Sequence, residues 1–242
     1  MKLADSCLSA PDRSPPLYTP DPILRSMLCG VDEAGRGPVI GPMVVAAVMV
    51  ADDALLRDMK VRDSKKLTAK KREELAPRIR KVAQYKLKVV EAEAIDAIRD
   101  DMSLNAFEAE LFAGLIEKLR PDEVFIDACD TDERRFGRTV QSHLAYRPVR
   151  MVCEHEADDK YPVVSAASIL AKVRRDAIIA KIEKEFGEPI GSGYCHDPVT
   201  NAFLEKWIRE NHELPPHTRR SWAPARLLLS LAKTSKLTDW CD

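Results

Sequence analysis

Four carboxylates stand where they could bind divalent metal ions and drive phosphodiester hydrolysis: Asp32, Glu33, Asp127 and Asp158. Asp32 and Glu33 close an apolar segment at 28–32, Asp127 closes another at 123–128, and Asp158 stands just before a long helical stretch. Catalytic groups in open sheets collect at strand ends and helix starts, where loops converge. Carboxylates gathered there repel one another unless a cation neutralises them, and Mg²⁺ takes hard oxygen ligands such as carboxylates, waters and substrate phosphate. Two such ions about 3.5–4 Å apart can activate a water and stabilise the leaving oxygen of an in-line displacement. Successive strand residues face opposite sides, so Asp32 and Glu33 share a site only if the strand is ending, and Gly35 supplies that ending. With 39 acidic residues in the chain, ordinary surface charge is the competing explanation.

Gly35-Arg36-Gly37 follows the first strand. Ile40 occupies the place of the third glycine of a dinucleotide fingerprint, and a strand follows instead of a helix; Gly41 is succeeded by Pro42, not by the Lys-Ser/Thr of a P-loop. What remains is either a plain connection or a tight turn whose backbone can approach a ligand, with Arg36 able to hold a phosphate. Lys65 and Lys66, in the run Asp63-Ser64-Lys65-Lys66-Leu67, precede a helix carrying Lys70, Lys71 and Arg72; they suit either phosphate contact or a solvated face. In 165–176 (SAASILAKVRRD), Ala166, Ile169, Leu170 and Val173 form an apolar stripe. Ser165, Ser168, Lys172 and Arg175 form the opposite face, which begins beside Asp158 and suits a polyanion. Residues 191–194 (GSGY) read as a flexible turn that carries Tyr194, a residue for stacking on bases or sugars or for packing. His196 could shuttle protons near neutral pH.

The elements that must position these groups are strands at 28–32, 41–51, 85–90, 123–128 and 148–154. Helices are expected at 68–83 (capped by Thr68, with Pro77 inside), 104–119 (capped by Ser103), 165–186, 198–211 and 222–233. Strands in succession followed by strands alternating with helices indicate an α/β sheet with helices on its faces. The 242 residues suit one domain with an appendage. No apolar run approaches the roughly 20 residues of a membrane span. Prolines 11, 15, 16, 20 and 22, with no apolar core segment, argue against a secretion signal; residues 1–26 read as a poorly ordered lead-in and the protein as cytoplasmic. Six cysteines without a C-x-x-C pair point to free, mostly buried thiols. With 38 basic against 39 acidic residues, composition does not announce a nucleic-acid partner.

The segments GVDEAGRGPVIGPMVVAA (30–47), DSKKL (63–67), IDACD (126–130), EHEADDKYPVVSAASILAKVRRD (154–176) and GSGY (191–194) resemble, in order and interval, ribonuclease HII, the type 2 ribonuclease H, in its archaeal single-subunit form. The resemblance implies a ribonuclease H-like fold, a mixed five-stranded sheet flanked by helices, in a catalytic domain at 27–186 with a C-terminal helical extension at 187–242. It implies an endoribonuclease acting on RNA–DNA hybrids and cutting 5′ to ribonucleotides in duplex DNA, leaving 3′-hydroxyl and 5′-phosphate ends. The cofactor would be Mg²⁺ or Mn²⁺ on Asp32, Glu33, Asp127 and Asp158. Gly35, Arg36 and Gly37 would read the 2′-hydroxyl, Tyr194 would pack on the sugar at the DNA side, and Lys65, Lys66, Ser168 and Lys172 would contact phosphates. A monomer is expected, with the C-terminal tail a candidate contact for a sliding clamp. Cys195-His196 depart from the family, which usually has proline after the tyrosine. The rival functions are another nuclease or resolvase on the same fold and a catalytically silent nucleic-acid-binding protein.

Overall fold

A run of β-branched and small apolar residues makes the centre of the sheet. β1 (Leu28–Ala34) and β2 (Met43–Val50) pair antiparallel, with Asp32 opposite Ala46. A computed structural model describes residues 26–61, 67–99 and 101–238, without the side chains of 232–238. Lys65, Lys66 and nearly all of the N-terminal lead-in lie outside the described residues. β3 (Gln84–Val90) adds antiparallel to β2, while β4 (Glu123–Asp127) and β5 (Arg150–Glu154) continue from β1 in parallel, giving the order β3-β2-β1-β4-β5. The mixed five-stranded sheet is the one the resemblance implied. Every residue of β2 is buried, because helices cover both faces of the sheet there.

On one face, Val44, Ala46, Val48 and Phe125 pack on α2 (Ala69–Val82) and the N-terminal half of α7 (Pro162–Phe186). On the other, Val31, Val45, Ala47 and Ile126 pack on α4 (Leu104–Leu119) and α5 (Glu133–Ser142), where Phe112 and Phe136 meet edge-on at 5.5 Å. Each of the valines, the isoleucine and the phenylalanines among them contributes about 1.5–3 kcal/mol. α7 lies against β1 so closely that a Cβ on Gly30 would sit 2.2 Å from the Val163 carbonyl carbon. The expected caps are present: the Thr68 side chain accepts from Lys71 N, and the Ser103 side chain accepts from Ala106 N.

Four short helices escape the periodicity argument: α1 (Ala54–Asp58), α3 (Ala92–Ile98), α5 and α6 (Ala157–Lys160). α7 starts three residues earlier than its serine-led reading, at Pro162, whose fixed φ suits a first helical turn. From Val163 to Ala171 it is buried all round, so no one-sided apolar stripe exists in that half. α8 (Pro198–Asn211) and α9 (Ala223–Thr238) follow Gly187, which ends α7 in the left-handed conformation. They build a third core with Val39 and Ile40 from the turn after β1. Among the described residues, no helix is long and apolar enough to cross a membrane. Of the described cysteines, Cys29 is buried, Cys129 and Cys153 are partly buried and Cys195 is exposed, all as free thiols.

Candidate active site

β1 runs two residues past Asp32, which corrects the expectation that the strand ends there. Alternation therefore holds, and Asp32 faces α7 while Glu33 faces α4. Asp127 ends β4, the parallel neighbour of β1, whose last registered pair is Val31 with Ile126; the next step sets Asp127 beside Asp32. The chain leaves β5 through Glu156 in the left-handed conformation (φ +57°), and Ala157 N donates to Asp127 Oδ1 at 3.0 Å. That turn folds α6 back over the site. Asp158 thus sits within a short helix of its own, and the Ser165 hydroxyl donates to its carbonyl.

Carboxylate oxygens of Asp32, Asp127 and Asp158 lie within 4.8 Å of one another, and this group could hold a metal ion. Asp158 is buried, whereas its neighbour Asp159 is exposed. Burial first, and then the Asp127 charge, push the Asp32 carboxyl up to about 8, against a hydrogen bond from Ser168 that lowers it. Carboxylates crowded like this, two of them buried and Asp127 half-buried, resist being ionised together without a cation between them. Glu33 lines the same cleft but is outside the three-carboxylate group; it is raised by burial, then by the charges of Asp32 and Glu108.

The cleft is lined by Asp32, Glu33, Asp127, the Gly35–Arg36 turn, Lys172 and Tyr194 among others. The Arg36 guanidinium lines this cleft and is tied to α4. Its Nε donates to fully buried Glu108 at 2.8 Å and its Nη2 to Asn105 Oδ1 at 2.5 Å, both on α4. Ser168 is hydrogen-bonded to Asp32, so its hydroxyl serves the carboxylate. Lys172 pairs with Asp176 at 3.0 Å. Arg175, read from its spacing as part of a polyanion-facing surface, is 1% exposed; it donates to Ser192 O at 2.7 Å and lies 5.3 Å over the Tyr194 ring.

The GSGY segment is tied down on every side, in contrast to the flexible turn expected from its glycines. Ser192 N and Oγ both donate to Asp197 Oδ2 at 2.6 Å, Gly193 N donates to Thr200 Oγ1 at 3.0 Å, and Gly193 O accepts from Val39 N and Ile40 N. Tyr194 Cε1 lies 3.6 Å from where a Cβ on Gly37 would be. Cys195 and His196 are exposed, with the His196 ring 5.3 Å from that of Tyr194. The departure from proline falls where the side chains are exposed, while the Cys195 carbonyl accepts from Asn201 Nδ2 at 2.9 Å and ties the loop to α8.

The chain matches the ribonuclease HII family model over residues 29–225. The chain belongs to the ribonuclease HII family. Ribonuclease HII of Thermococcus kodakarensis is 46% identical over 217 residues, 88% of this chain and 93% of that protein. The crystal structure of ribonuclease H2 from Pyrococcus horikoshii OT3 superimposes with a TM-score of 0.79 at 38% identity, over 86% of this chain and 99% of that one. Ribonuclease HII of Archaeoglobus fulgidus, solved in complex with PCNA, gives 0.77 at 39% identity, over 83% of this chain and 96% of that one. The enzyme is therefore a metal-dependent endoribonuclease acting on RNA–DNA hybrids and on ribonucleotides in DNA, and the resolvase and silent-binder readings are set aside.

Residues of this enzyme that spacing did not single out are Glu108, Asn105 and Arg219. Each lies far in sequence from the turn it holds, Asn105 and Glu108 on α4 and Arg219 in the connection between α8 and α9, and no local pattern marks such a partner. Arg72, which lines the cleft and lies 3.7 Å from Asp176, was visible only as one cation in a run.

Proposed function

We propose that Asp32, Asp127 and Asp158, with Glu33 alongside, hold one or two Mg²⁺ or Mn²⁺ ions, and that the cut falls on the 5′ side of a ribonucleotide, leaving 3′-hydroxyl and 5′-phosphate ends. The observation that carries this reading is the meeting of three carboxylates within 4.8 Å, one of them, Asp32, both buried and raised to about 8. Such ions supply Lewis acidity at phosphate oxygens and a water of lowered pKa. The chain's own residues orient and select. Asp127 is fixed by the Ala157 amide and Asp32 by the Ser168 hydroxyl. The backbone of Gly35, Arg36 and Gly37 meets the ribose, whose 2′-hydroxyl is what separates RNA from DNA. Tyr194, backed by Arg175, packs on the neighbouring sugar. Lys172 and Arg72 meet phosphates, and Lys65 and Lys66 are assigned the same role from the sequence alone.

We further infer a cytoplasmic monomer with a catalytic domain at 27–186 and an extension at 187–242. Its tail would contact a sliding clamp, as suits a relative of the Archaeoglobus enzyme solved with PCNA. The deciding experiment is cleavage mapping on a DNA duplex carrying one ribonucleotide, with and without divalent metal. One cut 5′ to the ribonucleotide, dependent on metal, is expected. Cutting that persists in chelator, or equal cutting of an all-DNA duplex, would overturn the reading.

A further inference from the structure

The turn beside the carboxylates is held by a distant part of the chain. Arg219, fully buried, donates from Nη2 to the Gly35 carbonyl at 2.5 Å, from Nη1 to the Arg36 carbonyl at 2.6 Å and from Nε to the Gly41 carbonyl at 3.1 Å. Trp222 Nε1 adds a bond to the Gly37 carbonyl at 3.3 Å, and its ring lies 5.0 Å from the Arg219 guanidinium. Backbone bonds fasten the same segment: Arg219 N to Val39 O at 2.8 Å and Gly41 N to His217 O at 2.9 Å.

Peptide units are planar, and none described here is cis, so each N–H points opposite to its own C=O. The carbonyls of Gly35 and Arg36 are drawn onto the Arg219 fork. The amides of Arg36 and Gly37, in the same two peptide units, are consequently turned away from the buried guanidinium. Two successive amides in a turn with Gly35 at φ +81° form a nest for an electronegative oxygen. Lysine could not make this hold, since it offers a point charge in place of a planar fork. Burial, and then the Arg175 charge, lower Arg219 only to about 10, so it remains charged at neutral pH.

We propose that Arg219 is a positioning residue for ribose recognition: its hold on Gly35, Arg36 and Gly41 sets the direction of the two amides that donate to the substrate's 2′-hydroxyl oxygen or to an adjoining phosphate oxygen. The inference rests on the reading above that this turn meets the ribose. It makes the extension part of substrate selection, with Arg219 touching only the turn.

The test uses Arg219→Lys and Trp222→Phe in the full chain. Cleavage is measured on a duplex with one ribonucleotide, binding of that duplex and of an all-DNA duplex in an Asp127→Asn background, and Mn²⁺ affinity in the single variants. Arg219→Lys is expected to lower kcat/KM about tenfold or more and to narrow the binding preference for the ribonucleotide duplex by about tenfold, the equivalent of one or two lost hydrogen bonds. All-DNA binding and Mn²⁺ affinity should stay within about twofold. Trp222→Phe, which keeps the ring, should shift the preference the same way by about two- to threefold. Wild-type preference in a folded Arg219→Lys protein overturns the proposal, as does equal loss on both duplexes together with lost Mn²⁺ affinity. If Arg219→Lys does not fold, an unchanged preference in Trp222→Phe overturns it. A wild-type enzyme that binds both duplexes alike would sink the reading of the turn itself, a different result from a preference that survives in the variants.

Discussion

Glu108 holds Arg36: a carboxylate with no solvent exposure receives the guanidinium at 2.8 Å, and Asn105, three residues earlier on the same helix, receives its other arm. The arginine of the Gly-Arg-Gly turn is thus a bolt between the turn and α4. The Arg36 side chain is 35% exposed and keeps its bond to Asn105, so removing Glu108 costs less than the ~3–5 kcal/mol of a fully buried pair, about 1–3 kcal/mol. Glu108→Ala should therefore lower the unfolding free energy by about that amount and slow cleavage of a one-ribonucleotide duplex. Denaturant unfolding and steady-state kinetics check both. An unchanged stability would show that Arg36 finds another partner.

Asp127→Asn should lower hydrolysis by about 10³-fold or more while leaving hybrid binding within a few-fold. The amide can still accept from the Ala157 N–H that Asp127 holds at 3.0 Å, so α6 stays seated. Single-turnover cleavage and gel-shift binding separate the two effects. Full activity would remove Asp127 from the metal site.

The raised Asp32 carboxyl has a signed consequence for pH. Its value of about 8 in the folded chain lies above the ordinary carboxylate range, so the metal-free fold binds a proton that the unfolded chain has released. Metal-free stability is accordingly greatest at low pH with respect to this group, and it falls as pH rises from about 4 to about 8. Metal must displace that proton, so apparent Mg²⁺ or Mn²⁺ affinity should rise up to tenfold per pH unit below about 8 and level off above it. Asp32→Asn should raise metal-free stability at pH 8–9 by about 1–3 kcal/mol. Calorimetric titration in buffers of different ionisation enthalpy would count the released proton. A pH-independent affinity would contradict the assignment.

Tyr194→Ala should slow cleavage at a single ribonucleotide by about 10–100-fold, the range of one lost ring-stacking contact, while Tyr194→Phe keeps most of the rate. The ring is wedged between Gly37 and the Arg175 guanidinium, so the phenylalanine ring should hold its place. Equal losses in both variants would assign the role to the hydroxyl instead.

Gly30→Ala should be among the most damaging small substitutions, because its Cβ would meet the Val163 and Val164 backbone at 2.2–2.4 Å. Moving α7 off the sheet also moves Ser168 away from Asp32. A loss of about 3 kcal/mol or more is expected in unfolding, above the usual 1–3 kcal/mol for overpacking because backbone cannot give way.

Much of this architecture was legible in the residues. Strand and helix periodicities placed all five strands within about two residues, and Thr68, Ser103 and Pro198 marked helix starts that the structure keeps. Asp32, Asp127 and Asp158 stood out by position, and the structure brings them together. What stayed hidden depended on tertiary pairing. The serines and Arg175 of α7 looked like a polar face suited to a polyanion because helical spacing reports sidedness but not how many neighbours a helix has. The GSGY segment looked loose because glycine signals backbone freedom, while Asp197, Thr200 and Arg175, which remove it, lie on the helices to either side. α5 was missed because its short run offers only Phe136 and Val140 to the core.

The bonds from Arg219 to Gly35 and Arg36 join residues 184 and 183 positions apart. Proteins are made from the N-terminus and their domains fold largely as they emerge. β1, β2 and the carboxylates can therefore assemble while the Gly-Arg-Gly turn still waits for its anchor. On the role proposed for Arg219, a nascent chain would gather its carboxylates first and gain selectivity only when residue 219 has cleared the exit tunnel.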